Sequence, residues 1–171
     1  MIDLLKKLRE EHQIILHMLD HESDFIKILD FVEKVHHPKE EQELFPGVAH
    51  EPWLSHGGPL CTYYRGIQLE FSPIQQVKVK LEKYYADGGP RSDAYAIPSW
   101  CTPQNPLSIP MEEHAFGHEL SQAIRYLSSQ EGSEMYAKYF KIFKQDYEDF
   151  LRQHIAKEDG CLFKMCERRG C

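Results

Sequence analysis

Apolar residues recur at three- and four-residue intervals in four stretches of this chain, and each stretch predicts an amphipathic helix. Residues 2–20 align Leu5, Leu8, His12, Ile15, Leu16 and Leu19, with Asp3 available as a cap. After a turn at His21 to Ser23, residues 24–45 align Ile28, Leu29, Val32, Val35, His36, Glu40 and Leu44. Residues 110–128 open on Pro110, which suits a first helical position, and carry His114 and His118 one turn apart before Leu120, Ile124 and Leu127. Gly132 and Ser133 introduce the fourth stretch, in which Tyr136, Phe140, Phe143, Tyr147, Phe150, Leu151, His154, Glu158, Leu162 and Met165 keep a helical period to the chain end. Nine of the ten prolines lie from Pro46 to Pro110, and only Pro38 falls outside that span. Helices therefore flank an irregular middle, with one further helix expected at Pro73 to Tyr85 and a loop at Gly88 to Asn105.

Every one of the four stripes carries ligand-type polar residues where apolar ones belong. Ionised carboxylates and imidazoles left unpaired in an apolar interior cost several kcal/mol each, whereas a bound cation turns the same groups into its coordination shell. Residues four apart lie on one helix face about 6 Å apart, so both members of such a pair reach one ion or two adjacent ions. Three pairs have this spacing: His36 with Glu40, His114 with His118, and His154 with Glu158. With His12 they make a set that two metal ions bridged by two carboxylates require. Ala115, Gly117 and Ser121 leave room beside the third helix.

Histidine is the outlier of the composition, at ten of 171 residues; His17, His21, His50 and His56 fall off the pattern and read as surface or loop residues. A chain of this length forms one domain able to bury its own core. Its formal net charge of -7 gives no general attraction to nucleic acid or anionic lipid, and no stretch approaches the ~18 apolar residues of a membrane span. Five cysteines without a CxxC fit a reduced compartment, so the expectation is a soluble cytoplasmic protein with no nucleic-acid or membrane partner. Cys161, Cys166 and Cys171 recur every five residues, which spreads them around a helix, and are read as structural or adventitious; Cys61 and Cys101 enter only through the reduced compartment.

The segments EEHQIIL around His12, HHPKEEQELFP (36–46), MEEHAFGHEL (111–120) and HIAKEDGCLF (154–163) resemble the hemerythrin-like family, the HHE cation-binding domains. The resemblance implies an all-α, four-helix up-down bundle holding two iron ions as a non-haem di-iron centre with an oxo or hydroxo bridge. By it, His114, His118 and His154 bind one iron, His12 and His36 the other, and Glu40 and Glu158 bridge them. The three-plus-two division leaves a position open for dioxygen or another small diatomic ligand. The implied function is dioxygen binding or sensing without catalytic turnover; the alternative is a di-iron nitric oxide or peroxide reductase, or an iron-delivery or iron-centre repair protein.

The chain departs from the family pattern in three places. Pro38 lies between His36 and Glu40 and is expected to kink the second helix, which leaves Glu41 as an alternative to Glu40 and His37 to His36. Asp159, five residues after His154, is an alternative to Glu158. HGGPL at 56–60 stands where the family starts its third helix, yet Ile67 occupies the position expected for histidine, and the same offset from Pro106 lands on His114. Residues 61 to about 105 therefore read as an insertion between the second and third bundle helices.

Overall fold

The computed structural model describes residues 2–55 and 73–169, and among these every regular element is helical. Helix α1 spans Ile2–His21. Asp24 accepts a hydrogen bond from the Ile26 amide at 3.1 Å and starts the second rod, residues 25–48. This rod alternates in width: α2 (Phe25–Phe31), a π-helical turn π1 (Val32–His36), one α turn α3 (His37–Lys39), a second π turn π2 (Glu40–Leu44), and α4 (Phe45–Val48). Pro38, the expected kink, sits in the α turn between the two π turns, where wider hydrogen bonding absorbs the missing donor. Helix α5 is Pro52–Ser55. Cys61, Ile67 and all of HGGPL (56–60), His56 included, lie outside the described residues, as does Cys171.

Helix α6 (Pro73–Ala86) fills the position of the extra helix expected from the sequence. It ends in a Schellman arrangement: the Gly89 amide reaches the Tyr84 carbonyl at 3.0 Å and the Gly88 amide that of Tyr85 at 3.1 Å. Gly88 holds φ +100°, which only glycine adopts without strain. Helix α7 (Ser108–Ser129) starts two residues before Pro110, so that proline occupies its first turn. Ser133 caps α8 (Glu134–Lys157) by accepting from the Tyr136 amide at 3.0 Å. A third π turn, π3 (Glu158–Leu162), continues it into α9 (Phe163–Arg169). His114 meets His154 while Phe116 meets Phe150, so α7 and α8 run antiparallel.

The apolar interior is divided in two. One cluster joins Ile15, Leu29, Val32, Leu120, Ile124, Phe143, Tyr147 and Leu151, and receives Val77, Leu81 and Tyr84 from α6. The extra helix is therefore part of the core. The other cluster joins Leu5, Leu8, Leu44, Phe45, Met111, Leu162, Phe163 and the side chains of Cys161 and Cys166. Between the two, every rod carries its polar residues: His12 between Leu8 and Ile15, His36 and Glu40 between Val32 and Leu44, His154 and Glu158 between Leu151 and Leu162. Val35, placed on the buried stripe by the sequence pattern, is exposed instead, because the π turn rotates it outward. No helix among the described residues is long and apolar enough to cross a membrane.

Candidate metal centre

The polar layer converges on one point. His12, His36, Glu40 and Glu158 form one group whose ligand atoms lie within 4.8 Å of one another, and His37, Glu40, His114 and His154 form a second. Glu40 belongs to both: Oε1 lies 3.6 Å from His36 Nε2 and 3.9 Å from His12 Nε2, and Oε2 lies 3.4 Å from His114 Nε2. Glu158 Oε2 also spans the groups, 3.4 Å from His12 Nε2 and 3.2 Å from His154 Nε2.

Six of the seven residues picked from the sequence meet here; His118 does not. Its Nδ1 faces Glu33 Oε1 at 3.2 Å, in a network with Ser121 and Arg125. His118 stands one helical turn beyond His114, where Glu33, one turn before His37, draws it away from the centre. His37 takes the vacated place. The spacing read as an HxxxH pair on one helix is instead met by one histidine from α7 and one from the second rod. The wide turns on either side of residues 37–39 let both members of the His36–His37 doublet face inward.

A second layer fixes the histidines. His12 Nδ1 lies 2.9 Å from Asp159 Oδ1, His36 Nδ1 3.2 Å from Glu11 Oε2, His114 Nδ1 2.7 Å from Glu41 Oε1, and His154 Nδ1 2.8 Å from Glu113 Oε2. With each Nδ1–H donated outward, each Nε2 lone pair points into the centre, the arrangement in which outer carboxylates orient metal-bound imidazoles. Glu41 and Asp159, the alternatives to Glu40 and Glu158, thus stand behind histidines. Cations back three of the four carboxylates: Arg9 on Asp159 at 3.0 Å, Lys39 on Glu11 at 2.7 Å, and Lys157 on Glu113. Glu41 instead accepts from the Tyr95 hydroxyl, supplied by the loop before α7. Sequence reasoning missed Glu11 and Glu113, although both precede a ligand-type histidine in the two EEH triplets.

The inward atoms lack partners. Nε2 of all five histidines and both oxygens of Glu40 and Glu158 are buried without a hydrogen-bond partner among the described residues. Their mutual contacts have ion-pair distances but not hydrogen-bond geometry. At about 1–3 kcal/mol for each buried group left without a hydrogen bond, these five imidazoles and two carboxylates would offset much of the stability of a typical domain. The set fits a pair of cations: neutral imidazole nitrogens and bridging carboxylates are the donors that such ions take.

Protons compete for these positions. Burial opposes charge on His12, but the hydrogen bond to Asp159 and the close Glu158 and Glu40 carboxylates outweigh it and push the imidazole up to about 9. Burial likewise opposes charge on His114, where Glu40 and Glu41 prevail, and on His154, where Glu158 prevails; both are raised. Burial also works against the Glu158 carboxylate, yet His154 and His12 hold it well below its ordinary value. Burial, with His114 and His154 beside it, drives His37 well below the usual imidazole range.

A cavity of about 190 Å³ reaches this layer, lined by Glu33, His37, Pro38, Glu41, Tyr95 and His118. Comparisons with protein-family models, curated proteins and solved structures returned no match.

Proposed function

We propose that this chain is a hemerythrin-like, four-helix up-down bundle whose non-haem di-iron centre binds or senses dioxygen. One observation carries the reading: nine partnerless donor atoms from five histidines and two glutamates meet in a buried layer, with four of the histidines oriented from behind by carboxylates. Glu40 and Glu158 reach both groups and so suit bridging positions; His37, His114 and His154 would hold one ion, and His12 and His36 the other. Nitrogen-rich ligation matches the metal preference of imidazole for iron among other first-row ions, and the sequence resemblance selects iron. Two bound irons supply the paired one-electron changes that dioxygen binding needs. The chain's own part is to orient Nε2 through the outer carboxylates and to exclude bulk water with the two apolar clusters.

The polar cavity favours a second reading, reductive turnover of peroxide or nitric oxide at the same centre, because Tyr95 and His118 offer hydrogen-bonding groups beside His37. Metal analysis of anaerobically purified protein, with optical spectra before and after exposure to air, separates the two. Two irons per chain with an oxygen-dependent absorption that disappears on removing oxygen is the expected outcome. Irreversible oxidation moves the assignment to the reductase, and zinc or no metal overturns the iron reading.

A further inference from the structure

Among the five inward-facing histidines, His37 is held differently. His12, His36, His114 and His154 each have a carboxylate on Nδ1, and His37 has none among the described residues. It is nonetheless almost fully buried, at 5% exposure, with Nε2 partnerless and inside the His37–Glu40–His114–His154 group. Its ring lies flat on that of His114, centroids 3.7 Å apart, and it forms part of the wall of the cavity. We propose that His37 is the exchangeable ligand of the centre, displaced by a small polar molecule that enters through the cavity lined by Glu33, Glu41, Tyr95 and His118.

The inference rests on the dinuclear reading above. A hydrogen-bonded outer carboxylate raises the basicity of an imidazole and fixes its orientation, and losing one typically lowers metal affinity 10–100-fold. The histidine without one is the weakest-held of the five, and it is also the one with free volume beside it. A cavity of about 190 Å³ admits a molecule of a few heavy atoms and leaves room for the imidazole to swing aside. At the other group of ligands Phe163 lies parallel to His12 at 5.2 Å, and Arg9 stands over Phe163 at 5.5 Å. By ligand count the position left open belongs to the two-histidine ion, but the cavity approaches the three-histidine one.

The test uses the full chain loaded with iron, as wild type, His37→Ala, His37→Gln and His154→Ala, with circular dichroism to establish folding. The readouts are irons retained per chain after dialysis and azide affinity by optical titration. The expected result is two irons in wild type and in both His37 variants, loss of iron in His154→Ala, and azide binding at least about tenfold tighter in the His37 variants because no internal ligand competes. The glutamine variant keeps the side chain's bulk and reads the effect should alanine fail to fold. Loss of iron in folded His37 variants to the extent seen in His154→Ala overturns the proposal, as does unchanged azide affinity, which would place azide on the two-histidine ion. A wild-type chain that takes up fewer than two metals overturns the dinuclear reading itself.

Discussion

His12 and His118 are both histidines on a helix face directed inward by sequence period, and they end differently because of what stands behind each. Asp159 locks His12 with Nε2 toward the centre, whereas Glu33, Ser121 and Arg125 draw His118 out of it. His118→Ala therefore leaves metal stoichiometry unchanged, and His114→Ala lowers it, as elemental analysis checks. Outer and inner carboxylates also separate: Glu158→Gln removes a group that contacts both histidine sets and reduces the metal count. Glu113→Gln keeps the count and weakens affinity by roughly 10–100-fold in a chelator competition. The outer carboxylates were legible in one respect. Glu11, Glu41, Glu113 and Asp159 each adjoin a centre residue in the chain and serve a histidine on another rod, since neighbours on a helix point in directions about 100° apart. Which histidine each would meet depends on rod packing.

Protonation belongs to the same scale. A histidine whose folded pKa lies above its unfolded value stabilises the fold below the unfolded pKa and loses that contribution as pH rises through the folded one. For His12 the window runs from 6.5 to about 9, so without metal the chain's unfolding free energy falls across that range. With metal on Nε2 the proton is already displaced, and the decline is absent. Denaturant titrations at several pH values, with and without metal, check this; equal slopes would refute the assignment.

At the scale of elements, the three π turns coincide with the site. His36 ends the first, Glu40 begins the second and Glu158 begins the third. Such wide turns replace the i→i+4 hydrogen bond by i→i+5 and shift the register of the residues beyond them, an arrangement frequent at functional sites. Period counting on an ideal helix therefore finds the stripe but misplaces Val35 and leaves His37 as a mere substitute for its neighbour. The C-terminal end of α6 offers a local test. Gly88→Ala forces a side chain into a positive-φ position and costs about 1–2 kcal/mol, read as a lowered midpoint of thermal unfolding. Gly89→Ala costs more, because its Cβ would stand 2.3 Å from the ring of fully buried Tyr84.

For the molecule as a whole, the buried polar layer separates two apolar clusters, and its buried atoms without hydrogen bonds oppose folding unless cations are bound. Metal binding is then folding energy. At metal concentrations about a thousandfold above the dissociation constant, linkage adds about 4 kcal/mol, and each kcal/mol moves the midpoint of a chain this size by roughly 2–4 °C. Calorimetry with and without a chelator checks the shift, and an unchanged midpoint would mean that the layer is satisfied by protons alone. The loop before α7 contributes from outside the rods, since Tyr95 bonds Glu41 and Trp100 and Cys101 pack on the second cluster.

Residue order alone makes plain that the chain is helical, where its long helices run, that a helix starts at Pro73, and that ligand-type residues share the buried stripes. Those properties follow from periodicity, caps and proline placement, which act over a few residues. The tertiary structure alone decided that His37 rather than His118 faces the centre, that Glu41 and Asp159 stand behind histidines, and that α6 belongs to the core. Each depends on the rotation and height of one rod relative to another, and a single wide turn changes both without leaving a mark in the hydrophobic pattern.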